Sequence, residues 1–163
     1  MDKDHEAIYY KYLERLRLKL IAKYDELGLR ASGEYEDSLT PEVTKSAMTM
    51  WGAKHAWQME HGRRAGKFPP RQAIEDWIEV KRGLPYIWRG KKEQFAFLIA
   101  RKIANEGITV PNKYNKGRVI DEVVQDFLAK DIYEMLAELG DVWLSRIRAD
   151  VINIMKSSLL KAA

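Results

Sequence analysis

Three histidines, a few paired carboxylates and one basic loop carry whatever chemistry this sequence can perform. His5, His55 and His61 are its imidazoles. A helical zinc hydrolase needs two histidines four residues apart around a glutamate, and no pair here has that spacing, so each is expected in a structural or surface role. Carboxylates gather as Glu34, Glu36 and Asp37, as Glu75 and Asp76, and as Asp121 and Glu122. General acid and base work requires two carboxyl groups facing one bond, whereas neighbouring acids on a single helix or loop are by default a solvated face. There is no Gly-x-Ser-x-Gly elbow to expose a serine nucleophile. With no cysteine in the chain, thiolate metal sites, disulfides and cysteine nucleophiles are excluded together, which fits folding in a reducing compartment. No catalytic residue, cofactor or metal is expected.

What remains is the stretch His61-Gly62-Arg63-Arg64-Ala65-Gly66-Lys67-Phe68-Pro69-Pro70-Arg71. It combines two glycines that tolerate positive φ, several cations, one aromatic ring and a proline pair. Gly62, Gly66 and Lys67 outline a phosphate-binding loop, but Phe68 stands where that loop needs serine or threonine, so ATP binding is not expected. Two uses stay open for its cations. With Lys81, Arg82, Arg89, Lys91 and Lys92 further on, and Phe68, Tyr86 and Trp88 among them, they compose a nucleic-acid surface on paper. Alternatively they form a rim that pairs with acids on a neighbouring subunit or simply stays solvated. The second is favoured, because the net charge is only +4 and no helix-turn-helix or RNA-binding signature accompanies the cluster.

The elements that must hold this loop can be read from periodicity. Ile8, Tyr12, Leu16, Leu20 and Tyr24, with Tyr9, Leu13 and Leu27 beside them, predict an amphipathic helix over residues 4–28 ended by Gly28. Its polar face mixes acids with bases, which argues against a membrane-surface element. Residues 32–39 predict a loop and a short exposed element. Thr40-Pro41 and the loosely alternating run to Met50 predict one or two strands, with Pro41 at a strand start or edge. Lys54–Glu60 predicts a helical turn bearing Trp57. The prolines should then launch a helix to about Lys81, on which Ile74, Trp77 and Ile78 make the apolar face. Residues 83–92 read as loop. Phe95, Leu98, Ile99 and Ile103 share a helical spacing up to Gly107, and Trp57, Ile74, Trp77, Leu98, Ile99 and Ile103 are the expected structural anchors. A second loop, 108–117, precedes helical sequence to about Leu160, in which Gly140-Asp141 is either a break or a tolerated glycine.

At 163 residues the chain is one domain's worth, large enough to bury a core unaided. No apolar run is long enough to cross a bilayer, and the opening residues lack the apolar core of a secretory signal. The fold class expected is α+β, mainly helical, with a small antiparallel β element between the N-terminal helix and the basic loop, closing in a long helix or helix pair.

The order of these pieces resembles a known family. Leu27-Gly28-Leu29 and Ser32-Gly33-Glu34-Tyr35 are followed by Glu60-His61-Gly62-Arg63, then Gly66-Lys67-Phe68-Pro69-Pro70. A helix with Ile74 and Trp77 comes next, then Ile99-Ala100-Arg101-Lys102-Ile103 and Glu106-Gly107-Ile108. The series is similar to that of the tail-completion or head–tail connector (neck) proteins of tailed bacteriophages. It covers roughly residues 10–110, so that 1–117 is the neck-like region and 118–163 a C-terminal helical extension within one domain. Ser32-Gly33 stands where such proteins often carry Thr-Gly. The resemblance implies a non-enzymatic virion protein that assembles in the host cytoplasm into a homo-oligomeric ring around the DNA channel. Portal, connector or tail proteins would be its neighbours, contact with packaged DNA would be non-specific, and no membrane would be involved. Residues 61–71 would meet an adjacent subunit, and the last helices would pack on neighbours. A small basic DNA-binding protein is the alternative.

Overall fold

The structure, a computed structural model, describes residues 3–162, with side chains for residues 3–156. Helix α1 (Lys3–Glu26) buries Tyr12, Leu13, Leu20 and Tyr24 along the predicted stripe. It stops two residues before Gly28. The Leu29 amide donates to the Tyr24 carbonyl at 3.2 Å and the Gly28 amide to Asp25 at 2.9 Å, the paired bonds of a left-handed glycine stop.

The short element after it is a helical turn, α2 (Glu34–Ser38), and it is not exposed: Tyr35 is 2% accessible and its ring lies 4.5 Å from that of Tyr24. Strands β1 (Thr40–Val43) and β2 (Met48–Trp51) then pair antiparallel with Pro41 opposite Met50. In a two-stranded sheet both strands are edges, so a proline without an N–H is accommodated.

Helix α3 (His55–His61) leads into the basic loop, and α4 (Arg71–Val80) follows the prolines as expected. Residues 83–92 are not wholly loop, since Pro85 precedes a short helix, α5 (Tyr86–Gly90). After α6 (Lys92–Glu106) and a second loop come α7 (Val119–Ala129) and α8 (Asp131–Ala162). The closing stretch is therefore two helices, but the break is at Lys130, whose φ of −130° and ψ of −66° leave the helical region. Gly140 lies inside α8, at a helix-propensity cost of about 1 kcal/mol relative to alanine. Helices take up 67% of the chain and the sheet has two strands, so the fold is α+β and mainly α.

Three apolar clusters hold these elements. One joins Leu20, Tyr24, Tyr35, Leu39 and Ala56 to Val119 and Val123 of α7. The second joins Tyr12 to Phe127, Met135 and Leu139. Residues after Arg118 thus share α1's core as far as Leu139. The third is a separate seam in which Ile74 and Ile78 of α4 meet Ala96 and Ala100 of α6.

That seam corrects half of the expected anchors. Ile74 is buried, and Ile99 and Ile103 pack against the seam from its sides. Leu98 is 47% exposed, because α6 presents Ala96 and Ala100 to α4, and a residue two positions from either points about 200° away. Trp77 sits at the edge of α4's buried face and is 37% exposed. Trp57 is 70% exposed, since α3 buries only Ala56 and turns the indole outward against His61. Trp57→Ala and Leu98→Ala are each expected to move stability by no more than about 0.5 kcal/mol, measured by urea unfolding.

Candidate functional site

The basic loop is built from its backbone outward. Gly62 ends α3 with φ 80° and ψ −163°, and Gly107 ends α6 with φ 75° and ψ −163°. Each is followed by one half of an isolated antiparallel bridge: the Arg63 amide donates to the Ile108 carbonyl at 2.8 Å, and the Ile108 amide to Arg63 at 2.7 Å. A Cβ on Gly62 would run into the Ile108 carbonyl oxygen, and one on Gly107 into that of Arg63. Only glycine fits either place. The Gly66 amide adds a bond to the Ala104 carbonyl at 2.7 Å, so the loop is tied along the end of α6. Pro69 is buried, and Pro70, with φ −59°, delivers the chain into α4.

This framework sorts the cations. Arg63 is half-buried and its guanidinium donates to the Lys67 carbonyl at 2.8 Å, so it braces the loop from within and is not offered outward. Arg64 and Lys67 are exposed. Arg71 lies 3.8 Å from Glu75 one turn on. Phe68 and Phe97 are about half exposed with ring centroids 6.1 Å apart, and the Arg101 guanidinium sits 5.9 Å from the Phe97 ring.

The cations downstream only partly join them. Lys81 turns inward, donating to the carbonyls of Gly28 at 2.5 Å and Arg30 at 2.9 Å, and burial lowers its pKa. Arg89 caps the end of α4 through the Glu79 and Lys81 carbonyls. Lys92 faces Glu79 at 3.5 Å.

The histidines stay apart. His5 lies against the Trp143 ring, His55 lies 3.9 Å from Glu34, and His61 lies against Trp57. Among the described residues no three potential ligands converge on a metal position. The acid pairs are engaged by neighbours: Glu75 with Arg71, Asp76 with Gln72, Asp121 with Arg118, and Glu122 with Lys23 at 3.0 Å.

Two features were missed in the sequence. Glu60 reaches across the fold to accept the Ile120 and Asp121 amides at 3.1 Å each, capping α7 where Arg118 offers no side-chain cap. Nothing local marks a cap from a residue that distant. Replacing Glu60 by alanine is expected to cost about 1 kcal/mol, seen as a fall of about 3 °C in the melting temperature.

The second feature is an ionic ladder. Lys11, Arg15, Lys19 and Lys23 stand four apart on α1 and face Glu138, Glu134 with Asp131, Asp126 with Asp131, and Glu122. The four-residue spacing of the cations was its visible signal. Lys130 and Lys19 together hold the Asp126 carboxyl down to about 2, and Lys23 lowers Glu122.

Compared with protein-family models, curated proteins and solved structures, the chain matches none.

Proposed function

We propose that the chain is a non-enzymatic structural subunit of the head–tail connector, or neck, of a tailed bacteriophage, forming a ring around the DNA channel beside portal, connector or tail proteins. The motif series of the sequence supports this reading, and one structural observation carries it furthest. The loop bearing that series is a preformed corner, pinned to α6 by backbone bonds, that displays Arg64, Lys67 and Phe68 without relying on them for its own shape. A surface already ordered loses little entropy when a partner docks on it. Heterologous ring contacts set one face of each subunit against a different, complementary face of the next, and a cationic protrusion of this kind supplies one of the two.

The test is complementation of a phage lacking the protein. The variant Arg64→Ala with Lys67→Ala should keep wild-type circular dichroism and yield heads without joined tails, and electron micrographs of the purified wild type with its neck neighbours should show rings. A variant that still gives infectious particles, from a wild type that forms no ring, would overturn the proposal.

A second reading, a small DNA-binding protein, is favoured by one observation: Arg101 sits against the Phe97 ring beside the exposed Phe68, next in sequence to the exposed Lys67, and bases stack on such rings while phosphates meet the cations. Its signature is duplex or single-strand affinity that falls steeply with salt, with a slope that flattens in Lys67→Ala or Arg101→Ala.

A further inference from the structure

Helix α8 carries one i, i+4 ridge of large apolar side chains from end to end: Met135, Leu139, Trp143, Ile147, Val151 and Met155. Its first two members are buried against α1, at 4% and 9% exposure. The next four are 58%, 54%, 48% and 60% exposed. The change has a geometric cause. Helices α1 and α8 run antiparallel, pairing Arg15 with Asp131, Lys11 with Glu138, His5 with Trp143 and Asp4 with Arg146. Arg146 is level with Asp4, so residues 147–162 run for roughly 24 Å past the described part of α1, which begins at Lys3. A ridge that is core over its first half thus continues on the same helix with no described element of the chain over it.

The charges beside the ridge say what covers it. Arg148 and Lys156 follow Ile147 and Met155 by about 100° of helix turn on one edge; on the other, Asp150 precedes Val151 and Arg146, already bonded to Asp4, precedes Ile147 by the same angle. Arg148, Asp150 and Lys156 are exposed, and none of them takes a partner within the chain among the described residues. A lipid surface calls for cations along both edges, and a nucleic acid for cations on the face itself; an unpaired acid on one edge suits neither. A second copy suits it when the two helices run parallel. One edge of each helix then meets the opposite edge of the next, which sets Arg148 against Asp150. In an antiparallel pair centred on the ridge each edge meets its own copy, which sets Arg148 against Arg148 and Asp150 against Asp150.

We propose that the Trp143, Ile147, Val151 and Met155 face of α8 is where a second copy of this chain docks, α8 beside α8 and parallel, with Arg148 paired to the neighbour's Asp150. Parallel neighbours are what a rotation axis running along the helix produces. For its biological setting the inference rests on the ring-subunit reading, while its geometry does not.

Light scattering of the full chain tests it. Wild type should have a mass above that of one chain, and Ile147→Glu with Val151→Glu should reduce it to a single chain with unchanged circular dichroism, since both residues lie outside the three apolar clusters. Arg148→Asp should weaken association at least tenfold and Arg148→Asp with Asp150→Arg should restore it. Because the chain has no cysteine, Met155→Cys reports orientation: parallel neighbours oxidise to a covalent dimer, whereas an antiparallel pair holds the thiols far apart. A monomeric wild type, an oligomer indifferent to Ile147→Glu with Val151→Glu, or a Met155→Cys protein that does not cross-link overturns the inference. Rings that persist in the double glutamate variant would refute this docking face and leave the neck reading standing. Wild type that fails to join heads to tails, yet self-associates through α8, would do the reverse.

Discussion

Gly62→Ala is expected to destabilise the protein by about 3 kcal/mol, read as a lower urea midpoint with an unchanged slope. The figure has two sources. A φ of 80° with ψ near 180° is a region that alanine enters only under strain of about 1–3 kcal/mol. The new methyl would also collide with the Ile108 carbonyl, forcing apart the bridge that supplies two hydrogen bonds, each worth about 1 kcal/mol net. Gly107→Ala should cost a similar amount, because its methyl meets the Arg63 carbonyl from the other side of the same bridge. Once either substitution has opened the bridge the other has little left to break, so the double variant should cost clearly less than the sum. Additive costs would mean that the two glycines do not serve one contact.

The reciprocity of Gly62 and Gly107 explains what was legible in the basic loop. Two glycines, a proline pair and an aromatic marked a shaped corner, and a shaped corner is present. What it rests on was not legible, because its support is backbone from the far end of α6, and backbone bonding leaves no side-chain pattern. The same gap misassigned Arg63. Three cations in a run look alike in sequence, yet one braces the loop through the Lys67 carbonyl while Arg64 and Lys67 face solvent.

The helices divide in a similar way. Helix α1 followed from spacing because large apolar residues recur there every three or four positions, whereas the same spacing after Arg118 left Gly140 open as a break or a tolerated glycine. The α4 side of the α4–α6 seam, Ile74 and Ile78, followed as well, but its α6 side did not, since a row of alanines is a weak hydrophobic signal although it lets two helices approach closely, and Leu98 outranks Ala96 and Ala100 by size. Trp57 and Trp77 were misread for that reason too: an indole invites a core assignment, but the seven-residue α3 buries one alanine and has no room for Trp57, and on α4 Ile74 and Ile78 take the buried face and leave Trp77 at its edge. The break at Lys130 was hidden by a better-looking one at Gly140, and a glycine that nothing crowds stays helical.

The largest expected effect outside the loop falls on Asp131, the first residue of α8, 3% exposed and bonded to both Lys19 and Arg15. Burial alone would raise its pKa, but the hydrogen bonds from Lys19 and Arg15 hold it below the ordinary 3.8. Asp131→Ala leaves two cations facing a desolvated gap and removes an acid from a helix N-terminus, at a cost of about 3 kcal/mol. Lys19 keeps Asp126 at 2.9 Å and Arg15 keeps Glu134 at 2.6 Å, which limits the damage at those partly exposed positions. A cost below about 1 kcal/mol in urea unfolding would show that the ladder is a surface ornament of the kind that contributes little. The pH dependence separates the two outcomes. Carboxyls whose folded values lie below their unfolded ones add stability that is complete above the unfolded value near 3.8 and disappears as pH falls toward the folded value, about 2 for Asp126. Wild type should therefore lose stability between about pH 4 and pH 2, and Asp131→Asn, which has no carboxyl to protonate there, should follow a shallower curve across the same interval.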